Sequence, residues 1–185
     1  MNFANINYCD TANGPGVRTT LFVCGCTNNC KGCFNPEAFD FKFGKLFMFK
    51  DMVDILRNSE PEYNKGLTIL GGEPFHPNNI GEVRNIVDRY RSRFENEKTI
   101  WIYTGYKFEH LITPIEEYGA KKFFDEGYKD YPYNEDAIET IKMIDVLVDG
   151  RFEEDNKDLT LPFRGSSNQR IIEIKDVMDH IKRPV

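Results

Sequence analysis

Residues 19–33, TTLFVCGCTNNCKGC, begin as a β-branched and apolar run and end as a loop of cysteines. The first part, TTLFVC, predicts a buried strand. The strand runs directly into Cys26, Cys30 and Cys33, which fall within eight residues of one another. Three thiolates at this spacing can hold three corners of a cubane four-iron cluster, and the fourth iron then lacks a protein ligand. An iron with an open position can bind a substrate, as an open zinc site does. The competing reading is a zinc ion completed by His76 or His110, although neither histidine has the usual paired spacing.

Outward from this stretch, strand-like and helix-like segments alternate. A helix is predicted over 50–57, with Met52, Val53 and Leu56 on one face. LTIL at 67–70 predicts a strand ending at Gly71-Gly72. A helix follows over 79–94, with Ile80, Val83, Val87 and Tyr90 on one side and Asn78 or Asn79 as its cap. TIWIY at 99–103 is a third strand, closed by Thr104-Gly105. A helix over 137–143 leads to a fourth strand, IDVLV at 144–148, ending at Asp149-Gly150. A fifth strand at 170–174 and a closing helix at 175–181 complete the series.

This alternation implies an α/β chain with a parallel sheet and right-handed crossovers. At 185 residues the chain is shorter than the roughly 250 of a closed eight-fold barrel, so a partial, open (β/α) barrel in one domain is expected. Ligands gather at the carboxyl ends of such strands. The cysteine loop, Gly71–Pro74, Thr104-Gly105 and Asp149–Arg151 all follow strand ends, so four segments share one rim. Residues 113–136 depart from the pattern. Their aromatics (Tyr118, Phe123, Phe124, Tyr128, Tyr131 and Tyr133) either pack on the domain or form a flap for a partner.

A net charge of −6 and the lack of a basic stripe argue against a nucleic-acid partner. The apolar runs are too short for a membrane span, and the N-terminus has no signal-peptide pattern. A cytoplasmic location follows as the default. Five cysteines, an odd number with three clustered, fit a metal site in a reducing compartment better than a disulfide framework. Cys9 and Cys24 are expected to be small, buried apolar residues.

The segment Gly71-Gly72-Glu73-Pro74 adds a ligand-approach feature, because two glycines let a ligand come close to the main chain. Together with Cys-x3-Cys-x2-Cys it resembles the radical S-adenosylmethionine superfamily. The resemblance narrows with Asn13-Gly14-Pro15-Gly16-Val17-Arg18, which is similar to enzymes that activate glycyl-radical enzymes. Cys33-Phe34-Asn35, Trp101–Tyr106, Val148–Phe152 and Arg164-Gly165-Ser166-Ser167-Asn168-Gln169 resemble one branch, the anaerobic ribonucleoside-triphosphate reductase activating proteins. Gly32 before the third cysteine and Phe34 after it also resemble that branch more than the pyruvate formate-lyase activases.

The resemblance implies that Cys26, Cys30 and Cys33 ligate a [4Fe–4S] cluster whose open iron chelates S-adenosylmethionine. The reduced cluster would cleave a carbon–sulfur bond, and the resulting 5′-deoxyadenosyl radical would abstract a hydrogen atom. It further implies that Gly32, Cys33 and Phe34 line the S-adenosylmethionine pocket. Gly71, Gly72 and Glu73 would contact its amino group, mainly through main-chain oxygens. Arg151 is either the partner of the methionine carboxylate or a surface charge. No side chain is assigned acid or base catalysis. The implied partners are the large subunit of an anaerobic ribonucleoside-triphosphate reductase and an outside electron donor such as a flavodoxin. A pyruvate formate-lyase type activase, a small-molecule enzyme such as a carboxy-deazaguanine synthase, and a non-catalytic zinc module are the rivals.

Overall fold

The computed structural model describes residues 1–181. Strands β1 (Asn2–Asp10), β2 (Val17–Val23) and β3 (Lys45–Leu46) come first, followed by helix α1 (Phe49–Ser59). Strand β4 (Asn64–Gly71), helix α2 (Ile80–Phe94) and strand β5 (Thr99–Tyr103) continue the alternation. Three short helices, α3 (Phe108–Ile112), α4 (Ile115–Tyr118) and α5 (Ala120–Asp125), precede α6 (Glu135–Met143). Strands β6 (Val146–Asp149) and β7 (Arg170–Glu173) and helix α7 (Ile174–Ile181) close the chain. Among the described residues, no helix is long and apolar enough to cross a membrane.

The seven strands form one sheet in the order β3-β1-β2-β4-β5-β6-β7. The four central strands, β2, β4, β5 and β6, are parallel, as their helical crossovers require. The flanks correct the all-parallel expectation: β1 pairs antiparallel with both β2 and β3, and β7 pairs antiparallel with β6. No α-helix joins β6 to β7; the chain returns alongside through a loop over residues 150–169 that holds one short 3-10 turn. Strand β1 (NFANINYCD) lies near the sheet's edge with mostly exposed and half-buried side chains, and it lacks the apolar run that announces a buried strand.

The two faces of the sheet differ. Leu21, Val23, Leu67, Ile69, Ile100, Ile102 and Leu147 belong to one core with the buried faces of the helices. On the opposite face the alternate residues include Arg18, Thr20, Thr68 and Trp101, and Trp101 packs with Val146 and Val148. Arg18 is 0 % exposed and bolts three strands together. Its Nε donates to Thr68 Oγ1 at 2.8 Å and its Nη1 to Thr99 Oγ1 at 2.9 Å. Its Nη2 donates to the carbonyls of Leu67 and Thr99, both at 2.8 Å. Burial pulls its pKa down to about 10, since these partners are neutral dipoles.

Residues 113–136 take the packed alternative. Tyr118, Phe123 and Tyr128 meet the ring of His110 edge-on at 4.7, 5.0 and 4.8 Å. Phe124 stays half-exposed. Cys24 is buried as expected, whereas Cys9 is exposed, because β1 turns it away from the core.

His110 has a defined proton. The Lys107 N–H donates to its Nδ1 at 3.2 Å, so Nε2 carries the hydrogen and donates to Tyr118 Oη at 2.9 Å. Tyr118 in turn donates to Glu126 Oε1 at 2.9 Å. Burial lowers the His110 pKa to about 4, against the pull of Glu126. The folded state therefore takes up this proton later than the unfolded chain does. Stability from this group is present above pH 6.5 and is lost as pH falls towards 4, by up to about 3 kcal/mol. Urea unfolding between pH 7.5 and 4.5 should show this slope in the native sequence and less of it in His110→Gln. Equal slopes would mean that His110 does not remain neutral in the fold.

Candidate functional site

The cysteine loop leaves the end of β2 and is clasped by its own return. Gly25 N–H donates to Ala38 O at 2.8 Å, and Cys26 N–H to Phe39 O at 3.2 Å, within a short 3-10 turn. The Gly71-Gly72 turn docks against the same backbone. Gly72 N–H reaches Val23 O at 2.7 Å and Glu73 N–H reaches Gly25 O at 2.8 Å. A Cβ on Gly72 would stand 2.6 Å from Gly25 O, so only glycine permits this approach. Asn79 does not cap α2 with its side chain as expected. Its Nδ2 donates instead to the carbonyls of Cys24, Gly25 and Glu73, at 2.9, 3.3 and 3.0 Å.

Glu73 is 1 % exposed and draws the rim together. Oε1 accepts from Phe75 N–H at 3.0 Å and Thr104 Oγ1 at 2.7 Å. Oε2 accepts from Gly105 N–H at 2.7 Å and Asn28 Nδ2 at 3.1 Å. Burial pushes its pKa up to about 7, while all four donors favour the charged form. The carboxylate is thus engaged. The carbonyl of Glu73 already accepts from Asn79 Nδ2 and His76 N–H.

Cys26, Cys30 and Cys33 border one cavity of about 530 Å³, together with Phe34, Gly71, Gly72 and Glu73. Gly32 lies outside its lining, against Glu154. Burial raises the Cys26 thiol to about 12, with help from Glu73, and raises Cys30 as well. Among the described residues no three His, Cys, Asp or Glu side chains converge on a single ion position. A cubane needs a different arrangement, because each thiolate takes a different iron. The histidines proposed for zinc are engaged elsewhere: His76 faces Asp130 at 3.4 Å, and His110 is enclosed by aromatics.

Asp149 is buried and holds Phe108 N–H at 2.7 Å and the Arg170 guanidinium, with Nε at 2.9 Å. Arg151 turns outside the cysteine cavity, onto residues 126–128. Among the described residues, Arg164 is the one basic side chain lining the cavity, and its Nε is buried without a partner. Tyr103 also lines the cavity and has a buried, unpartnered hydroxyl. Neither Arg164 nor Tyr103 stood out in the sequence as a ligand contact.

The segment RGSSNQ is a fastener for the loop over residues 150–169. Gln169 Oε1 accepts from Gly165 N–H at 2.9 Å, and its Nε2 donates to Gly150 O at 3.0 Å. Asn168 Nδ2 donates to Arg151 O at 2.8 Å. Ser166 Oγ accepts from Glu153 N–H at 3.2 Å, and Ser167 N–H donates to Asn156 O at 2.8 Å. The fastened loop carries Leu159, Leu161 and Phe163 to the edge of the cavity.

Residues 12–172 match the 4Fe-4S single cluster domain, so the class is an iron–sulfur protein with one cubane cluster. Three relatives are more specific, and each carries the name anaerobic ribonucleoside-triphosphate reductase-activating protein. That of bacteriophage T4 is 35% identical over 171 residues, covering 92% of this chain and 93% of the relative. That of Escherichia coli K12 is 35% identical over 172 residues, 91% and 96% of the two chains. That of Haemophilus influenzae is 34% identical over 178 residues, 95% and 99%. The chain belongs to the family of anaerobic ribonucleoside-triphosphate reductase-activating proteins.

Removing the Glu73 carboxylate strands donors from three loops. Glu73→Ala should cost roughly 3 kcal/mol or more, and Glu73→Gln roughly 1–3 kcal/mol, since one acceptor then becomes a donor facing donors. Chemical denaturation of the purified variants measures both. A cost below about 1 kcal/mol for the alanine variant would show that Glu73 does not organise the rim.

Proposed function

We propose that this protein activates an anaerobic ribonucleoside-triphosphate reductase by reductive cleavage of S-adenosylmethionine at a [4Fe–4S] cluster. The observation that carries the reading is one cavity bordered by all three clustered cysteines and by the Gly71-Gly72 turn. Its volume is that of a site for a nucleoside-sized ligand. The unpartnered atoms of Tyr103 and Arg164 fit a polar ligand there.

In this reading Cys26, Cys30 and Cys33 hold three irons, and the carbonyls of Gly71 and Gly72 receive the amino group. Arg164 takes the methionine carboxylate in place of Arg151, because Arg151 is held on residues 126–128. Cys33 and Phe34 support the adenosine end, whereas Gly32 stands outside the lining. When bound, the reduced cluster would supply one electron to the sulfonium of S-adenosylmethionine, chemistry that releases methionine and a carbon radical able to take a hydrogen atom from a glycine. The protein's own task is to hold both groups and to keep water from the cavity, which Phe34, Phe152, Leu161 and Phe163 serve on its apolar side.

The substrate is a glycine-bearing segment of the reductase large subunit. It reaches the cavity from the side of the sheet opposite the helices, the geometry of a partial barrel in one domain. The electron comes from an outside donor such as a flavodoxin, and the setting is the cytoplasm. The pyruvate formate-lyase activases and small-molecule enzymes remain the alternatives in the same class.

Anaerobic reconstitution with iron and sulfide, followed by incubation with reductase, reductant and S-adenosylmethionine, tests the reading by electron paramagnetic resonance. A glycyl signal on the reductase is expected, and a signal on a formate-lyase alone would overturn the choice of partner. Alanine at Cys26, Cys30 or Cys33 should abolish S-adenosylmethionine cleavage. Alanine at Cys9, exposed on β1, should leave it at the native rate; loss there would show that the ligand set is wrong.

A further inference from the structure

Between Cys26 and Cys30 lies Asn28, and a closed ring of contacts passes through it. Its Nδ2 donates to Glu73 Oε2 at 3.1 Å, and its Oδ1 accepts from Arg151 Nε at 3.3 Å. The rest of the Arg151 guanidinium is gripped by residues 126–128. Nη1 donates to Glu126 O at 3.3 Å, Nη2 donates to Gly127 O at 2.8 Å, and the guanidinium carbon stands 3.6 Å from the centre of the Tyr128 ring. Tyr128 Oη donates to Gly105 O at 3.0 Å, and Gly105 N–H returns to Glu73 Oε2 at 2.7 Å. A Cβ on Gly105 would fall 2.4 Å from Asn28 Nδ2, so a larger residue there would push the amide out of place.

The ring fixes the Asn28 amide. A flip would aim its NH2 at a guanidinium donor and its oxygen at a carboxylate, so the network allows one orientation. A guanidinium held by two carbonyls and an aromatic face has little freedom left, and its Nε keeps one direction. Tyr128 is itself wedged, stacked 5.0 Å from Phe123 and 5.6 Å from Tyr106. The aromatic packing of residues 113–136 is thereby connected to the loop that carries the thiols.

We propose that Asn28 is a positioning residue for the cysteine loop, and that residues 113–136 brace it through Tyr128 and Arg151. The functional consequence rests on the cluster reading above, while the bracing itself is a property of the chain alone.

Two measurements separate the two. The first uses apo protein: alkylation of Cys26 and Cys30 under reducing conditions, followed by peptide mass spectrometry. Asn28→Ala and Arg151→Lys should speed alkylation about tenfold, the equivalent of one or two lost polar contacts. Tyr128→Phe, which keeps the ring under the guanidinium, should change it less than Tyr128→Leu. The Asn28→Ala/Tyr128→Leu double variant should be no faster than Asn28→Ala, because both act on one path. Circular dichroism and the urea midpoint identify any variant that has lost its fold, and Arg151→Lys is the mild one. Unchanged alkylation in folded variants, or additive effects in the double variant, would overturn the brace. The second measurement is the electron paramagnetic resonance spectrum of the reduced, reconstituted protein. Altered line shape with and without S-adenosylmethionine is expected in Asn28→Ala and Arg151→Lys, and native spectra in both would overturn the functional consequence. If the native protein takes up no four-iron cluster, the function reading fails and the alkylation result still decides the brace.

Discussion

A carboxylate buried without a cation beside it constrains this molecule. Glu73 has been withdrawn from water, and that withdrawal is tolerable only if its oxygens receive donors in return. The donors come from the turn after β4, from the end of β5 and from the cysteine loop. Each loop therefore has one low-energy position relative to the other two. The same withdrawal commits Glu73 to the rim: its side chain joins three loops, and its carbonyl is held by Asn79.

Arg18 plays the matching part beneath the rim. It is a buried cation whose four hydrogen bonds go to neutral oxygens on β4 and β5. It gives the second face of the sheet a polar floor, where an apolar residue would invite helices to pack. The sheet therefore has one face for the core and one for the cavity. The loop over residues 150–169 lines the second face with Phe163 and Leu161 while RGSSNQ closes the base of that loop on itself.

The central architecture was legible because its strands carry strong local signals. TTLFVC, LTIL, TIWIY and IDVLV are apolar runs ended by glycine or cysteine turns, and all four became adjacent parallel strands. Strand β1 was not legible: its polar sequence owes its place to pairing with β2 and β3, which no local pattern announces. The direction of β7 was hidden for a related reason, since it depends on a loop without an α-helix. At the site, the cysteines and glycines were visible by spacing. Asn28 and Arg164 were not, because nothing in TNNC or PFRG distinguishes an amide or guanidinium with a tertiary partner from one in solvent. Arg151 was open in sequence between a ligand contact and a surface charge; in space it lies on residues 126–128, held by Tyr128 and two carbonyls.

The placement of the thiols then has a physical explanation that does not begin with metal. Burial raises both thiols, Cys26 to about 12 and Cys30 against the opposing pull of Arg151. In the proposed cluster site, metal binding removes those protons, and its free energy is reduced by that cost. A loop that also had to be ordered by the metal would bear a second cost, the entropy of fixing its backbone. Here the ordering is supplied beforehand by main-chain bonds at Gly25 and Cys26 and by the Asn28 amide, none of which uses sulfur. The shape of the loop is thus set largely by contacts of oxygen and nitrogen.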